Sequence, residues 1–283
     1  MWPALIDLFW AYLINPFSLH HESALYPSNC GYCSFDSIYP KTYIAYKVQP
    51  YEVKKGNQLP LLLDGNINEP FWNAVPFTEN FVDISTTTIP KFQTKAKIRY
   101  DDTYLYIAAM INDTAIWANI THTCHCISST ENQVIFTDND FEVFVDPAGT
   151  NHYYKEYEMN AANATWDLQL NKPYSDSGYE NSSRVFGPYG WDMQPPLRCA
   201  TLIKGMLNNP KVNQTSWSVE IAMPLSSLVE NQGVNTKANP NPYSPADAIP
   251  PASGVFWRIN FSRVEWNVVI VGNHYVKDPA CQR

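Results

Sequence analysis

Apolar and polar positions alternate with a period of two through much of the chain between residues 95 and 266. This is the pattern of half-buried β-strands. Residues 95–100 place Ala96, Ile98 and Tyr100 on one face, and Asp101-Asp102-Thr103 supplies a turn. Residues 104–111 are almost continuously apolar, so both faces of that run are expected to be covered. The two runs are predicted to form a hairpin. Further strands are predicted over 140–146, 153–160, 165–170, 197–204, 217–223 and 255–266. In the first of these, Phe141, Val143 and Val145 share one face, while Asp140, Glu142 and Asp146 share the other with Phe144. In WSVEIAMP (217–224), Trp217, Val219, Ile221 and Met223 face one way and Glu220 the other. Residues 59–72 read as a short strand, an Asp-Gly turn and a short helical segment ending in Trp72.

Many short alternating strands joined by long loops (114–136, 171–194 and 230–253) predict an all-β fold. It is read as a two-sheet antiparallel β-sandwich, jelly-roll-like in character. Residues 1–58 carry little periodicity and are read as a leader and an irregular, extended N-terminal arm. The sandwich is assigned to residues 59–283. No internal repeat is visible.

Composition narrows the function. The 283-residue chain is 14% aromatic, 16% charged and has a formal net charge of −8. An acidic chain is a poor partner for phosphate backbones, so nucleic acid is excluded as a ligand. Abundant Tyr and Trp beside few charges suit a neutral, hydrogen-bonding ligand. Asn112, Asn119, Asn163, Asn181, Asn213 and Asn260 each open an Asn-X-Ser/Thr sequon, where chance gives roughly one per hundred residues. With six cysteines (Cys30, Cys33, Cys124, Cys126, Cys199 and Cys281), this favours a secreted, extracellular or lumenal glycoprotein containing disulfides. Residues 1–14 are apolar enough for the core of a signal peptide but too short for a convincing membrane span.

Six stretches then occur in a telling order: DGNINEPFW (64–72), IRYDDTYLYIAAMIND (98–113), DNDFEVFVDP (138–147), YYKEYEMNAANATWDLQLNKPY (153–174), WSVEIAMP (217–224) and WRINFSRVEW (257–266). Together they resemble the family 9 carbohydrate-binding modules, in particular the larger stand-alone relatives, over residues 59–276. The resemblance implies a sandwich that binds glycans or oligosaccharides, often beside glycoside hydrolases in carbohydrate catabolism. It implies that the end of a sugar chain is gripped between two aromatic rings, that polar side chains fix the hydroxyls, and that calcium supports the fold. Glu142 falls where the family has a sugar-binding glutamate, Phe136 where it has an aromatic platform, and Asn160 on its strand asparagine. Glu158 stands where the family carries an arginine, which reverses the charge. The second platform aromatic is expected in a segment beyond Arg283.

The residues themselves point the same way. Glu156, Glu158 and Asn160 share a strand face, and hairpin pairing would bring Glu142 within about 5 Å of Glu156 or Glu158. Trp166, with Asp167 and Gln169, comes from the next strand, and Arg258 and Asn260 could join from the strand near the C-terminus. Carboxylates, amides and a guanidinium around aromatic rings match a sugar, whose hydroxyls donate and accept while its apolar face stacks. Three alternatives stand beside this. Glu158 and Arg258 could form an internal ion pair in an adhesion or structural sandwich. Glu142, Glu156 and Glu158 could be the paired carboxylates of a glycoside hydrolase. Heme binding would need a pocket Met or His, and Met159 is predicted on the core face instead. Asp101, Asp102, Asp113 and Asp146 end strands, and Asp113 and Asp146 are the candidate calcium ligands. His122, Cys124, His125 and Cys126 match no zinc pattern well, and disulfides are the expected fate of these cysteines.

Overall fold

The computed structural model describes residues 12–14, 41–49, 52, 59–86, 88–121, 133–229 and 249–281. Fourteen strands form within these residues. β1 (Tyr12–Ile14), β2 (Thr42–Tyr43) and β3 (Tyr46–Lys47) are short. β4 (Thr94–Tyr100) and β5 (Tyr104–Asn112) form the predicted hairpin, with Tyr100 opposite Leu105. β6 (Asp140–Asp146), β7 (Tyr154–Asn160) and β8 (Thr165–Leu170) follow as an antiparallel meander, and β9 (Glu180–Asn181) adds to its edge. β10 (Arg198–Lys204) and β11 (Ser216–Pro224) pair with each other, and β12 (Arg258–Val264) pairs with β6. β13 (Val268–Val271) and β14 (His274–Lys277) make a separate hairpin.

Two sheets result, ordered β2-β1-β12-β6-β7-β8-β9 and β10-β11-β5-β4-β3. Their inner faces supply one core. Phe141, Val143, Val145, Tyr157, Met159, Ile259 and Phe261 come from the seven-stranded sheet; Ile98, Ile107, Trp217, Val219 and Ile221 come from the other. The alternation read in the sequence therefore sets which residues meet between the sheets, and Met159 lies in the core as expected. The predicted arm contributes β1, β2 and β3. Their pairings reach both sheets: β1 with β12, β2 with β1, and β3 with β4.

Both outer faces are also covered in part, which explains the continuous apolar run in β5. Leu61, Ile67, Phe71 and Trp72 pack on Tyr106, Ala108 and Ala222. The short helix α1 (Pro70–Asn73) presents Trp72, and Pro70 at its start has no N–H to leave unsatisfied. The fastening is Glu220. Its buried carboxylate accepts Trp72 Nε1 at 2.6 Å, Gly65 N at 2.8 Å and Asp64 N at 3.0 Å. Gly65 sits at φ +82°, and a Cβ there would lie 2.4 Å from the Leu202 backbone, so the Asp-Gly turn requires glycine. No strand forms at 59–63, because that segment is held by side chains rather than by a ladder.

Among the described residues no helix is long and apolar enough to cross a membrane. His20, His21, Cys30, Cys33, His122, Cys124, His125 and Cys126 lie outside the described residues.

Candidate functional site

The site candidates converge on the outer face of the seven-stranded sheet. Glu142 lies directly opposite Glu158, Asp140 opposite Asn160, and Phe144 opposite Glu156. On the far side of β7, Trp166 faces Glu158; on the far side of β6, Ser262 faces Glu142 and Asn260 faces Phe144. Period-two alternation then puts Asp140, Glu142, Glu156, Glu158, Asn160, Trp166, Asn260 and Ser262 on one surface. Asp167 and Gln169 fall on the other face of β8. There Asp167 accepts Met193 N at 2.6 Å, and burial pushes its carboxyl up to about 6.

The carboxylates are close and covered. One oxygen from each of Asp140, Glu142 and Glu158 lies within 4.8 Å of the other two. Asp140, Glu142, Glu156 and Glu158 are 0, 7, 3 and 1% exposed. Burial pushes the Glu142 carboxyl up to about 7, against a hydrogen bond from Ser262. Burial first, and the Glu142 charge second, raise Asp140, Glu156 and Glu158 well above the ordinary carboxylate range. No ion pair among the described residues reaches any of these four. Arg258 does not meet Glu158. It lies across from Asp146 at the far end of the face and donates to Asn151 Oδ1 at 2.8 Å. The internal Glu158–Arg258 pair is therefore not formed, because the two residues occupy opposite ends of their strands.

Phe136 is held from both sides. Its N–H donates to Glu158 Oε2 at 3.0 Å, and its carbonyl accepts Trp266 Nε1 at 2.9 Å. Its ring lies 6.1 Å from that of Trp166, tilted by 35°. Arg184 covers Trp166, with its guanidinium carbon 5.1 Å from the ring centroid, and is itself paired with Glu180.

Asn160 serves the fold. Its Nδ2 donates to Ile120 O and Asp138 Oδ2, and its Oδ1 accepts Ala162 N and Ala164 N. Those four bonds exhaust an amide side chain. Asp138 in turn accepts Asn119 N and Ile120 N, while Asn139 accepts Trp266 N and Asp140 Oδ1 accepts Val264 N. The Asp-Asn-Asp run before Phe141 thus ties β6 to the loop at 119–120 and to the end of β12.

Asp113 and Asp146 are not brought together. Asp113 accepts Ala115 N and lies 3.4 Å from Arg263. Asp146 accepts Gly149 N and Asn151 N in the turn after β6. Asp113 thus serves a turn amide and faces a guanidinium, while both Asp146 oxygens serve turn amides. Asp101 likewise caps its turn, accepting Thr103 N, Tyr104 N and the Tyr106 hydroxyl. Cys199 Sγ lies 3.5 Å from Asn163 Oδ1 on β10.

Two features escaped the sequence reading. Asp140, not among the candidate ligand residues read from the sequence, belongs to the buried cluster. The segment at 171–190 adds Tyr174, Tyr179, Phe186 and Tyr189, all exposed. Tyr179 and Phe186 meet edge to face at 6.4 Å. Burial and the charges of Glu156, Glu180 and Glu158 raise the Tyr174 hydroxyl, which places it beside the cluster. Four aromatics within one polar loop are a signal visible in the sequence.

Residues 63–239, more than half of the chain, match the family described as Carbohydrate family 9 binding domain-like. Similar solved structures include a protein from Bacteroides uniformis ATCC 8492 described as carbohydrate-binding (17% identity, 56% of this chain and 64% of that one, TM-score 0.36). A family 9 carbohydrate binding module from Caldicellulosiruptor kristjanssonii is similar in two forms. The first is in complex with glucose (18% identity, 59% of this chain and 65% of that one, TM-score 0.33). The second is in complex with cellotriose (18% identity, 59% and 64%, TM-score 0.33). The chain spans just under two thirds of the length of each of these structures. No curated protein matches it.

Proposed function

The chain belongs to the carbohydrate family 9 binding domain-like family, and from that premise we propose that it binds a neutral glycan on the outer face of the seven-stranded sheet. One observation carries the placement. Among the described residues, four buried polar atoms on this face have no hydrogen-bond partner: the acceptors Asp140 Oδ2 and Glu156 Oε2, and the donors Trp166 Nε1 and Asn260 Nδ2. Leaving such groups unmatched is costly. A sugar offers hydroxyls that both donate and accept, so one ligand class answers both kinds of vacancy. Phe136, with Tyr174, Tyr179 and Phe186 from the neighbouring loop, supplies rings for the apolar pyranose face.

Binding is modest and enthalpy-driven, because few rings and few hydrogen bonds make the contact. Sequons and cysteines support a secreted or lumenal setting, and the family supports a role beside glycan breakdown. The test is a glycan array probed with the wild-type chain, once in calcium and once in chelator. The expected result is retention of oligosaccharides with free hexose hydroxyls. Silence across the array under both conditions overturns the reading in favour of an adhesion or structural sandwich. Turnover of a retained glycan would instead make Glu142, Glu156 and Glu158 hydrolytic residues.

A further inference from the structure

Six asparagines open Asn-X-Ser/Thr sequons, and the fold treats them unequally. Asn119 and Asn213 are exposed in loops, and so are the hydroxyl residues two places on, Thr121 and Thr215. Among the described residues, the carboxamides of Asn119 and Asn213 take part in no hydrogen bond. The other four asparagines are built into the structure. Asn112 ends β5, with Ser216 paired on one side and Gln93 O accepting its N–H on the other. The half-buried Asn163 turns its Oδ1 toward Cys199 Sγ on β10, 3.5 Å away. The half-buried Asn181 accepts Trp191 N at 3.1 Å, and Ser182 beside it is fully buried. Asn260 Nδ2, the atom a glycan would be attached to, is buried.

We propose that Asn119 and Asn213 are N-glycosylated when the chain passes through a secretory lumen, and that the other four sequons stay bare in the folded protein. In the transfer, the asparagine Nδ2 attacks the anomeric carbon of an oligosaccharide carried on a lipid diphosphate. The N–C bond forms as the C–O bond to the diphosphate breaks. The lipid diphosphate leaves with the electron pair, and the nitrogen releases one proton to solvent. Transfer meets the chain as it is made, so folding decides which products survive. An attached glycan is bulky and hydrated and must end at the surface. On Asn260 it would fill a buried sheet face. On Asn163 or Asn181 it would push away the strand or loop that the side chain leans on. On Asn119 or Asn213 it displaces nothing. The two acceptors also stand on loops that are fastened to each other. Asn208 Oδ1 accepts Ala118 N at 2.9 Å, and Asn208 Nδ2 donates to Ala118 O at 2.8 Å. Gln214 Oε1 accepts Ile116 N, while its Nε2 donates to Met206 O and Asn209 O. These bonds use Asn208 and Gln214 and leave Asn119 and Asn213 pointing free, so the two glycans rise from neighbouring loops without loosening them.

The experiment expresses the full chain behind a cleavable secretion signal in cultured mammalian cells. Folded protein is collected from cells and medium. Peptide-N-glycosidase in heavy-oxygen water converts each glycan-bearing asparagine to a labelled aspartate, which peptide mass mapping locates; an enzyme-free control removes spontaneous deamidation. The expected result is label at Asn119 and Asn213 and none at Asn112, Asn163, Asn181 or Asn260. On a gel, the wild type falls by two mobility steps under the enzyme. Thr121→Ala and Thr215→Ala each remove one step, and the double variant removes both. Both threonines are exposed, so the variants keep the wild-type melting temperature. Absence of label at either Asn119 or Asn213 overturns the proposal, as does label in folded protein at any of the other four. A silent glycan array leaves all of these outcomes intact.

Discussion

Arg263→Met lowers the unfolding free energy by about 3 to 5 kcal/mol, the usual result of breaking a buried ion pair from one side. Arg263 is on β12 of the seven-stranded sheet, yet its side chain turns inward and crosses to the other sheet. Nη1 donates to Asn112 O at 2.8 Å and to Thr94 Oγ1 at 3.3 Å. Nη2 lies 3.4 Å from Asp113 Oδ2 and also meets Glu265. The guanidinium and the Asp113 carboxylate are 7 and 1% exposed. Methionine keeps the stem's packing but leaves Asp113 Oδ2 without a counter-charge and the Asn112 carbonyl without its donor. At about 2 to 4 °C per kcal/mol for a chain of this size, the melting temperature falls by roughly 6 to 20 °C. Adding Asp113→Asn recovers part of the loss, with a coupling of about 0.5 to 3 kcal/mol. A single variant within about 1 kcal/mol of wild type would show that the bridge between the sheets is incidental.

Melting temperature in chelator is expected to be higher at pH 5 than at pH 8. Burial raises Glu142, Glu220 and Glu265 to about 7 and Asp167 to about 6. A carboxyl whose value is raised by folding favours the folded chain below its unfolded value, and that advantage is lost as pH rises through the folded value. The loss therefore falls between about pH 5 and pH 8. One carboxyl held at about 7 instead of 4.5 accounts for about 2 to 3 kcal/mol over that window. Several groups act, each in its own setting. Glu220 faces Trp72, two backbone amides and the charge of Glu69. Glu265 faces Arg263 and Asp113. Glu142 faces Ser262, Glu156 and Glu158. A drop of at least about 5 to 10 °C is expected. Equal or greater stability at pH 8 would contradict the burial of these groups as ionisable carboxyls.

Much of this was legible in the sequence. Strict alternation at 140–146 and 153–160 was enough to separate Phe141, Val143 and Val145 from the acidic face, and the short turn after Asp146 makes the hairpin pairing natural. The unbroken apolar run at 104–111 correctly signalled covering on both sides. What alternation cannot give is the partner of a polar side chain. Asn160 read as a ligand residue, yet it is consumed by Asp138 and three backbone groups. Arg258 and Glu158 sit on the same face but at opposite strand ends, a separation set by register. Asp113 and Asp146 sit at strand ends, where turn amides and an arginine from another strand claim their oxygens. Arg263 reads as one more alternating position, and only the stacking of two sheets turns it into a bridge. The hairpin at 268–277 was missed because its exposed strands pack on little and so carry no clear period.

The central claim is that the outer face of the seven-stranded sheet recognises a carbohydrate. Isothermal titration of the best array oligosaccharide, in excess calcium, into wild type, Phe136→Ala and Asn260→Ala tests it most directly. Binding to wild type is expected to be exothermic, with at least about a tenfold loss in each variant, from the missing ring or the missing amide donor. Unchanged affinity in both variants would contradict it.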